Sequence, residues 1–213
     1  MKYYPLYHNL QGKTVLLVGG GNIGLQKLPA LLECEAKVHL VAPEILPEIE
    51  AMLATHTETL KWDKREYETV DLQGVVFVIA ATDNPALQQR IAGEARARNL
   101  WVNIVDVPAL CDFIAPALVS RGKIQIAIST GGAAPALAKF IRKKLETIIG
   151  DEYVQFAEIA QRLRPQIMKL PKPKRLALWD SIVNDKFLND IKTFGPAKAE
   201  DNIKEWIHGN NSL

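Results

Sequence analysis

Runs of apolar residues alternate, in the first half of the chain, with segments whose apolar residues recur at helical spacing. The runs predict strands over residues 13–18, 37–42, 59–62, 75–81 and 101–105. The intervening segments predict helices over residues 22–33, 44–54 and 85–98. Unbroken apolar runs are typical of strands covered on both faces, and helical crossovers between them give parallel strands. We therefore predict an α/β fold with a parallel sheet.

The pattern changes after residue 106. Two short apolar segments, residues 113–119 and 123–129, flank a Ser-Arg-Gly turn and predict a hairpin. Helices are predicted over residues 136–149 and, as two or three further helices, over residues 152–168, 175–192 and 197–208. We expect three domains, covering residues 1–110, 111–150 and 151–213. An isolated hairpin is marginally stable, so we expect the small α+β middle region to form a homodimer.

A glycine-rich turn follows the first predicted strand. The spacing Gly19-x-Gly21-x-x-Gly24 fits the dinucleotide fingerprint of a Rossmann-type domain. In that fingerprint the first glycine permits the turn, the second lets a pyrophosphate approach, and the third packs helix against strand. Together with Asn22 and Ile23, these residues would present backbone amides at a helix N-terminus to phosphate. The alternative is a glycine-rich turn in another α/β protein, and the flanking strand and helix favour the nucleotide site.

Residues after the second and fourth predicted strands bear on the choice of nucleotide. Glu44 is the acid nearest the end of the second strand, where NAD enzymes place a carboxylate on the ribose. A solvated acid at the start of a helix is an equal alternative for Glu44. No arginine stands there to bind a 2′-phosphate, so we predict NAD rather than NADP. Thr82 and Asp83 follow the fourth strand and are predicted beside the cofactor, with helix capping as the alternative for Asp83.

Composition limits the classes of protein to which the chain can belong. The 213 residues are 48% apolar and 23% charged, as in globular domains, and the net charge of +2 argues against nucleic-acid binding. The two cysteines and four histidines lack metal-ligand spacing, so we predict no dedicated metal site. Because we find no disulfide framework, signal peptide or membrane-length apolar run, we expect a cytoplasmic protein without a membrane partner.

Four motifs occur in the order seen in siroheme biosynthesis: GGGNIGLQK, AATDNPALQQ, VNIVDVPALCDFIAPA and ISTGGAAPALAKFIRKKLE. From about residue 3 to about residue 150 the chain resembles the precorrin-2 dehydrogenase/sirohydrochlorin ferrochelatase family, which includes the N-terminal half of siroheme synthase. The resemblance implies an NAD-binding Rossmann domain, a dimerisation region and a helical C-terminal domain. It also implies NAD-dependent oxidation of precorrin-2 to sirohydrochlorin, followed in some members by insertion of ferrous iron.

The resemblance places the essential aspartate of the family at Asp106. From the sequence pattern, Asp106 ends the last strand of the sheet, where a carboxylate can take a proton while NAD accepts a hydride. The alternative is a turn acid before Val107 and Pro108. Asn103 also matches the family, and we predict with equal weight that it orients Asp106 or only stays in the sheet. We include Asn103 among the substrate-binding candidates.

The implied substrate is a tetrapyrrole with many carboxylates, which calls for cations and N–H donors. The basic candidates are Arg121, Lys123, Lys139, Arg142, Lys143 and Lys144, of which Lys139 and Arg142 share a helical spacing. Taken singly, each is more often a solvated surface charge. Thr130 and Gly131 open the following helix and are predicted to bind a substrate carboxylate. Ala134 stands where the family usually has serine, so that hydroxyl is lost.

Two other functions use the same nucleotide fold. An NAD-binding regulatory module without catalytic activity is the main alternative, but such a module needs neither Asp106 nor the basic block that follows it. A redox-sensing repressor would need a basic DNA-reading face, which the small net charge disfavours. A short-chain oxidoreductase would need a Tyr-x-x-x-Lys pair, and none of the five tyrosines has lysine four residues later. The sequence therefore favours the dehydrogenase.

Overall fold

The computed structural model describes residues 3–209 and divides into two units, Met1–Ala115 and Pro116–Leu213. The division falls after Ala115, and the domain boundary expected near residue 110 stays a prediction. The second unit holds both the hairpin region and the C-terminal helices, and their separation near residue 150 stays a prediction. None of the helices in the described residues combines the length and apolar character needed to cross a membrane.

The first unit is built on a five-stranded sheet. Its strands are β1 (Thr14–Gly20), β2 (Lys37–Ile45), β3 (Leu60–Asp63), β4 (Val75–Ala80) and β5 (Trp101–Ile104). Every neighbouring pair is parallel, and the spatial order is β3-β2-β1-β4-β5. This order places β1 at the centre, with the crossovers on either side of it. The predicted Rossmann-type sheet is confirmed.

Helices cover the sheet because its strands are apolar on both faces. These are α1 (Asn22–Glu33), α2 (Pro47–Thr55) and α3 (Pro85–Arg96). Leu17 of β1 packs with Leu28 and Ile49 on one face, and Leu16 packs with Ile91 on the other. All five side chains are fully buried, and burying each contributes about 1.5–3 kcal/mol. Alternate residues of β1 thus face two separate cores.

The second helix begins later than the predicted span of 44–54. Strand β2 continues through Pro43 and Glu44 to Ile45, which pairs with Gly20. The Leu46 amide donates to the Gly20 carbonyl at 3.1 Å, and Pro47 then opens α2. Pairing with β1 therefore overrides the local preference of Pro43 for a helix start. As a result Glu44 belongs to a strand end and not to a helix.

The second unit begins with a two-stranded antiparallel ladder. Its elements are β6 (Ala117–Arg121), β7 (Ile124–Ile128), α4 (Pro135–Ile148), α5 (Asp151–Ile167), α6 (Lys172–Ile182), α7 (Asp185–Phe194) and α8 (Pro196–Ile207). The predicted strand over 113–119 is too early, because β6 starts at Ala117. The helical C-terminal region is confirmed.

Residues 151–209 contain four helices, because the predicted helix over 175–192 is interrupted. Asn184 lies between α6 and α7 and caps α7. Its side-chain oxygen accepts a hydrogen bond from the Phe187 amide at 2.9 Å. Such a cap satisfies an amide that has no carbonyl partner at the start of a helix. The break lets Phe187 and Ile182 both turn into one core, where they pack with Ile159.

Candidate functional site

The carboxyl ends of β1, β4 and β5 are joined by backbone hydrogen bonds. The Ala81 amide donates to the Val18 carbonyl at 2.7 Å, and the Val105 amide donates to the Ala80 carbonyl at 3.0 Å. The segments that follow these strands therefore leave the sheet at one edge. In an open α/β sheet this edge is where ligands bind. It carries the glycine turn, Thr82, Asp83 and Asp106.

The three glycines of the fingerprint have different surroundings. Gly19 has φ +109°, and a Cβ there would collide with the Ala81 carbonyl oxygen. A Cβ on Gly24 would collide with the Gly19 carbonyl oxygen. A Cβ on Gly21, in contrast, would meet no protein atom within 4 Å. Two of the glycines are thus required by the fold, and the space in front of Gly21 is open to a ligand.

Helix α1 starts directly behind Gly21. The first amide bonded within the helix belongs to Leu25, which donates to the Gly21 carbonyl at 3.0 Å. By helix geometry, the amides of Asn22, Ile23 and Gly24 have no carbonyl partner in the helix. These amides and the positive end of the helix dipole favour an anion such as a pyrophosphate. The residues present therefore fit the phosphates of a dinucleotide.

Glu44 lies beside the glycine turn. A Cβ on Gly20 would be 2.5 Å from the Glu44 carbonyl oxygen, so the two backbones are in close contact. The Glu44 side chain is exposed at the end of β2. This is where a Rossmann domain holds the ribose acid. The alternative of an acid at the start of α2 is wrong, because that helix begins at Pro47.

Thr82 and Asp83 stand between β4 and α3. The Thr82 carbonyl accepts a hydrogen bond from the Gln88 side chain at 2.6 Å, which fixes the backbone of this turn. The cap of α3 is Asn84, whose side-chain oxygen accepts from the amides of Ala86 and Leu87. Asp83 is exposed and is not the cap, so its carboxylate faces solvent at the ligand edge.

Asp106 occupies the turn that follows β5. The Val107 amide donates to the Ile104 carbonyl at 3.2 Å, which makes Asp106 the third residue of a β-turn. Its φ of +62° is left-handed, where an L-residue is disfavoured by about 1–2 kcal/mol and a turn selects glycine or asparagine. The side chain is exposed. A strained acid at a ligand-binding edge is a reason to expect a chemical role.

The segment behind Asp106 is tied to β5. The Asn103 side-chain amide is buried and donates to the Phe113 carbonyl at 2.9 Å. The Cys111 thiol donates to the Ile104 carbonyl at 3.0 Å, and burial raises the pKa of this thiol. Asn103 stays in the sheet, paired with Ile79, and its side chain also holds the returning segment, while a role in orienting Asp106 stays a prediction. Its contact with substrate stays a prediction.

Thr130 and Gly131 belong to the second unit, ahead of α4. The Thr130 hydroxyl oxygen accepts a hydrogen bond from the Ala134 amide at 3.0 Å, and the Gly131 amide donates to the Ser129 hydroxyl oxygen at 3.0 Å. These bonds shape the turn into the helix. The Thr130 hydroxyl retains its proton for donation, and Gly131 is exposed with φ +64°.

The basic candidates of the second unit differ in how they are paired. Arg142 forms an ion pair with Glu146 one helical turn later, and Arg121 donates to the Glu146 carbonyl at 3.2 Å. The Lys144 ammonium lies 4.8 Å from the centre of the Phe140 ring. Lys139 is exposed. Arg142 is thus partly neutralised, and Lys139 is more available to an anion.

A cluster of charged groups lies across β2 and β3. His39, Asp63 and Asp71 bring potential metal-ligand atoms within 4.8 Å of one another. Arg65 already binds Asp71 with two nitrogens, at 2.6 and 2.9 Å, and Asp63 at 3.1 Å. Burial opposes ionisation of Asp71, but its bonds from Arg65 and the Glu68 amide hold the pKa of this carboxyl below its ordinary value. We interpret the cluster as an ion-pair network that supports the sheet.

The chain is similar to siroheme synthases. It is 38% identical over 211 residues to the siroheme synthase of Ectopseudomonas mendocina (strain ymp) and 43% identical over 212 residues to that of Pseudomonas fluorescens (strain Pf0-1). Each match covers 98% of this chain and 45% of the relative. The chain thus spans about half the length of these relatives.

A solved structure and two family models match as well. The structure titled "SirC, precorrin-2 dehydrogenase" is 26% identical, with a TM-score of 0.76, over 95% of this chain and 100% of that chain. A model described as "Sirohaem biosynthesis protein central" matches residues 121–147. A model described as "Putative NAD(P)-binding" matches residues 6–117, more than half of the chain. The chain therefore belongs to this NAD(P)-binding family, and it is similar to the siroheme-biosynthesis proteins that its motifs indicated.

Proposed function

We propose that the protein is an NAD-dependent precorrin-2 dehydrogenase that oxidises precorrin-2 to sirohydrochlorin. The observation that carries this proposal is the left-handed, exposed Asp106 at the same sheet edge as the open glycine turn. A regulatory module that only binds NAD has no need for a strained acid there. The similarity to siroheme synthases and to a precorrin-2 dehydrogenase supplies the substrate class.

The proposed NAD site uses residues from three strand ends. The amides around Gly21, Asn22 and Ile23 hold the pyrophosphate, and the Glu44 carboxylate holds the ribose hydroxyls. A carboxylate repels a 2′-phosphate, which supports NAD over NADP. Bound NAD supplies the hydride acceptor. Thr82 and Asp83 then line the wall between the glycine turn and Asp106.

Asp106 acts as the proton acceptor in this proposal. The oxidation removes one hydride, which is two electrons and a proton, and one further proton. The hydride would go to bound NAD, and the further proton needs another acceptor. A carboxylate at neutral pH is free to accept that second proton if the substrate C–H or N–H lies within hydrogen-bond reach. The fixed turn sets the direction of the Asp106 Cα–Cβ bond, which limits the region that the carboxylate can reach.

The substrate is an anion with many carboxylates, and its proposed partners lie in the second unit. Lys139 is exposed and Arg142 lies on the same helix, three residues further along. The Thr130 hydroxyl is a further proposed donor to a substrate carboxylate, and Gly131, whose amide donates to Ser129, is proposed to line the same site. Charge-assisted hydrogen bonds of this kind are roughly twice as strong as neutral ones.

We also propose a homodimer formed through α4 and the hairpin. Leu137, Phe140 and Ile148 are about half exposed on α4, at 49%, 53% and 57%. Large apolar side chains that recur along one helix and face water are typical of an interface. Both cysteines are free thiols, as expected in the reducing cytoplasm, where we propose that the protein works without nucleic-acid or membrane partners.

The test is an anaerobic reaction with precorrin-2 and NAD, in which the absorbance of NADH is monitored. We expect one NADH per precorrin-2 oxidised, and much slower turnover with NADP. Ferrous ion added after complete oxidation then distinguishes a dehydrogenase from a bifunctional enzyme, because metal insertion changes the tetrapyrrole spectrum. An NAD-binding protein that produces no NADH from precorrin-2 would contradict the proposal and favour the regulatory module.

A further inference from the structure

Asp112 closes the segment that carries Asp106. The Asp112 amide donates to the Val102 carbonyl at 2.8 Å, and one Asp112 carboxylate oxygen accepts from the Val102 amide at 3.2 Å. Val102 lies on β5, an edge strand of the sheet, whose outer backbone groups have no further strand to bond. Residues 105–112 therefore leave β5 at its carboxyl end and are fastened back to the same strand.

The second oxygen of the Asp112 carboxylate binds an arginine. It accepts from the Arg96 Nε at 3.0 Å and lies 3.0 Å from another guanidinium nitrogen of Arg96. Arg96 belongs to the last turn of α3, which packs against the sheet. Asp112 thus joins the end of the segment to β5 and to α3 at once. We name this group of three residues, Arg96, Val102 and Asp112, the Asp112 clamp.

The Asp106 turn needs support of this kind. A left-handed φ at a residue other than glycine persists only where the surrounding structure holds it. The turn itself has a single backbone bond, from the Val107 amide to the Ile104 carbonyl at 3.2 Å, and the Cys111 thiol, next to Asp112, bonds to the carbonyls of Ile104 and Val107. With the far end of residues 105–112 fixed to Val102, the chain between has little freedom to rotate Asp106 into the ordinary region.

We propose that Asp112, held by Arg96, is a positioning residue that fixes the backbone conformation from which the Asp106 carboxylate projects. The inference rests on the proposed function, because it assigns Asp112 a purpose in the same reaction. Asp112 acts only through the backbone of residues 105–112 and touches no reacting atom. A displacement of about 1 Å at a reacting group lowers the rate by up to about a hundredfold, so loosening the clamp reduces turnover without removing any catalytic group.

The experiment compares Asp112→Ala and Asp112→Asn with the wild-type protein. The matched control is Tyr67→Phe, which removes a 2.8 Å hydrogen bond to the Glu94 carboxylate from a buried side chain of the same unit. The first measurement is amide hydrogen exchange at Val102 and Val107, which needs no substrate. The second is kcat and KM for precorrin-2, together with the Kd for NAD.

For Asp112→Ala we expect exchange at Val102 and Val107 to accelerate on the order of tenfold, which corresponds to one lost hydrogen bond. We expect kcat to fall about 10- to 100-fold with KM and the NAD Kd unchanged. Asp112→Asn keeps an oxygen for the Val102 amide and should lie between the alanine variant and wild type. Tyr67→Phe should leave exchange at Val107 and kcat at wild-type values.

Unchanged exchange at Val107 in Asp112→Ala would overturn the inference. A loss of kcat in Tyr67→Phe as large as in Asp112→Ala would also overturn it, because general destabilisation would then explain both. A wild-type protein that forms no NADH would contradict the proposed function instead. Exchange at Val107 would still decide whether the clamp holds the turn, so the two failures are distinguishable.

Discussion

Replacing Gly21 by alanine separates ligand binding from folding. Gly21 has φ −83° and ψ −166°, an extended conformation that any residue adopts. An added Cβ meets no protein atom within 4 Å, whereas on Gly24 it collides with the Gly19 carbonyl oxygen. Gly21→Ala therefore fits the protein without ligand, and Gly24→Ala does not. If NAD occupies the space beside Gly21, the added methyl group should weaken NAD binding without destabilising the protein.

The expected changes in stability and in NAD affinity follow from the surroundings of the two glycines. An alanine at a compatible glycine position stabilises a protein by about 0.4–1 kcal/mol, because the unfolded chain loses freedom. Forced overlap in a packed region destabilises by about 1–3 kcal/mol, as expected for Gly24→Ala. One hydrogen bond lost to a charged phosphate corresponds to about 1.5–3 kcal/mol, a roughly ten- to hundredfold weaker Kd.

The assay combines thermal unfolding without ligand and calorimetric titration with NAD. Gly21→Ala should keep or raise the midpoint of unfolding and weaken NAD binding at least about tenfold. Gly24→Ala should lower the midpoint by about 2–4 °C for each kcal/mol lost. Wild-type NAD affinity in Gly21→Ala would refute the assignment of the glycine turn as the phosphate site. A midpoint of Gly21→Ala as low as that of Gly24→Ala would refute the structural reasoning.

Three further variants test other parts of the account. Glu44→Ala should weaken NAD binding roughly tenfold and reduce the preference over NADP, as measured by KM for each nucleotide. Asp71 has a lowered pKa in the folded state, so its contribution is present above about pH 4 and is lost as pH falls through the folded pKa. Asp71→Asn should therefore be less stable at pH 7 by about 1–3 kcal/mol, with a flatter acid limb in urea unfolding. Phe140→Glu should shift the protein towards monomers in analytical ultracentrifugation, and an unchanged mass would remove α4 from the interface.

The sheet was predictable because its signals are local. The strands other than β3 are largely apolar, and the five predicted segments correspond to the five strands within a few residues. The helix after Asn84 also begins where its cap and Pro85 indicate. The glycine turn, Thr82 and Asp106 could be placed at one edge because parallel strands all end on the same side.

Two elements were misplaced from the sequence, one because of tertiary pairing and one because a local cap was overlooked. Pro43 is typical of a helix start, yet the pairing of Ile45 with Gly20 extends β2 beyond it. The Asn184 cap is a local signal of a new helix, but a helical apolar spacing on both sides of it predicted one continuous helix. Local propensity is a weak prior at Pro43, because pairing with a neighbouring strand overrides it, whereas at Asn184 the local cap was the correct signal.

The conformation of Asp106 and its support were beyond the sequence for a different reason. The residue type at position 106 does not predict a left-handed backbone, since glycine or asparagine is expected at such a turn position. The Asp112 clamp joins residues that are 10 and 16 positions apart, through one backbone bond and one side-chain bond to Val102 and an ion pair with Arg96. Only the fold brings these groups together, so the sequence around Asp112 does not predict its contacts with Val102 and Arg96.

The most direct test of the account compares wild type with Asp106→Asn. Asparagine has nearly the same shape and tolerates the left-handed turn better, but its amide does not accept the proton. We predict an NAD Kd within about twofold of wild type and an unfolding midpoint no lower, with NADH formation from precorrin-2 at least about a hundredfold slower. Wild-type rates of NADH formation in Asp106→Asn would contradict the claim that this carboxylate takes part in the reaction.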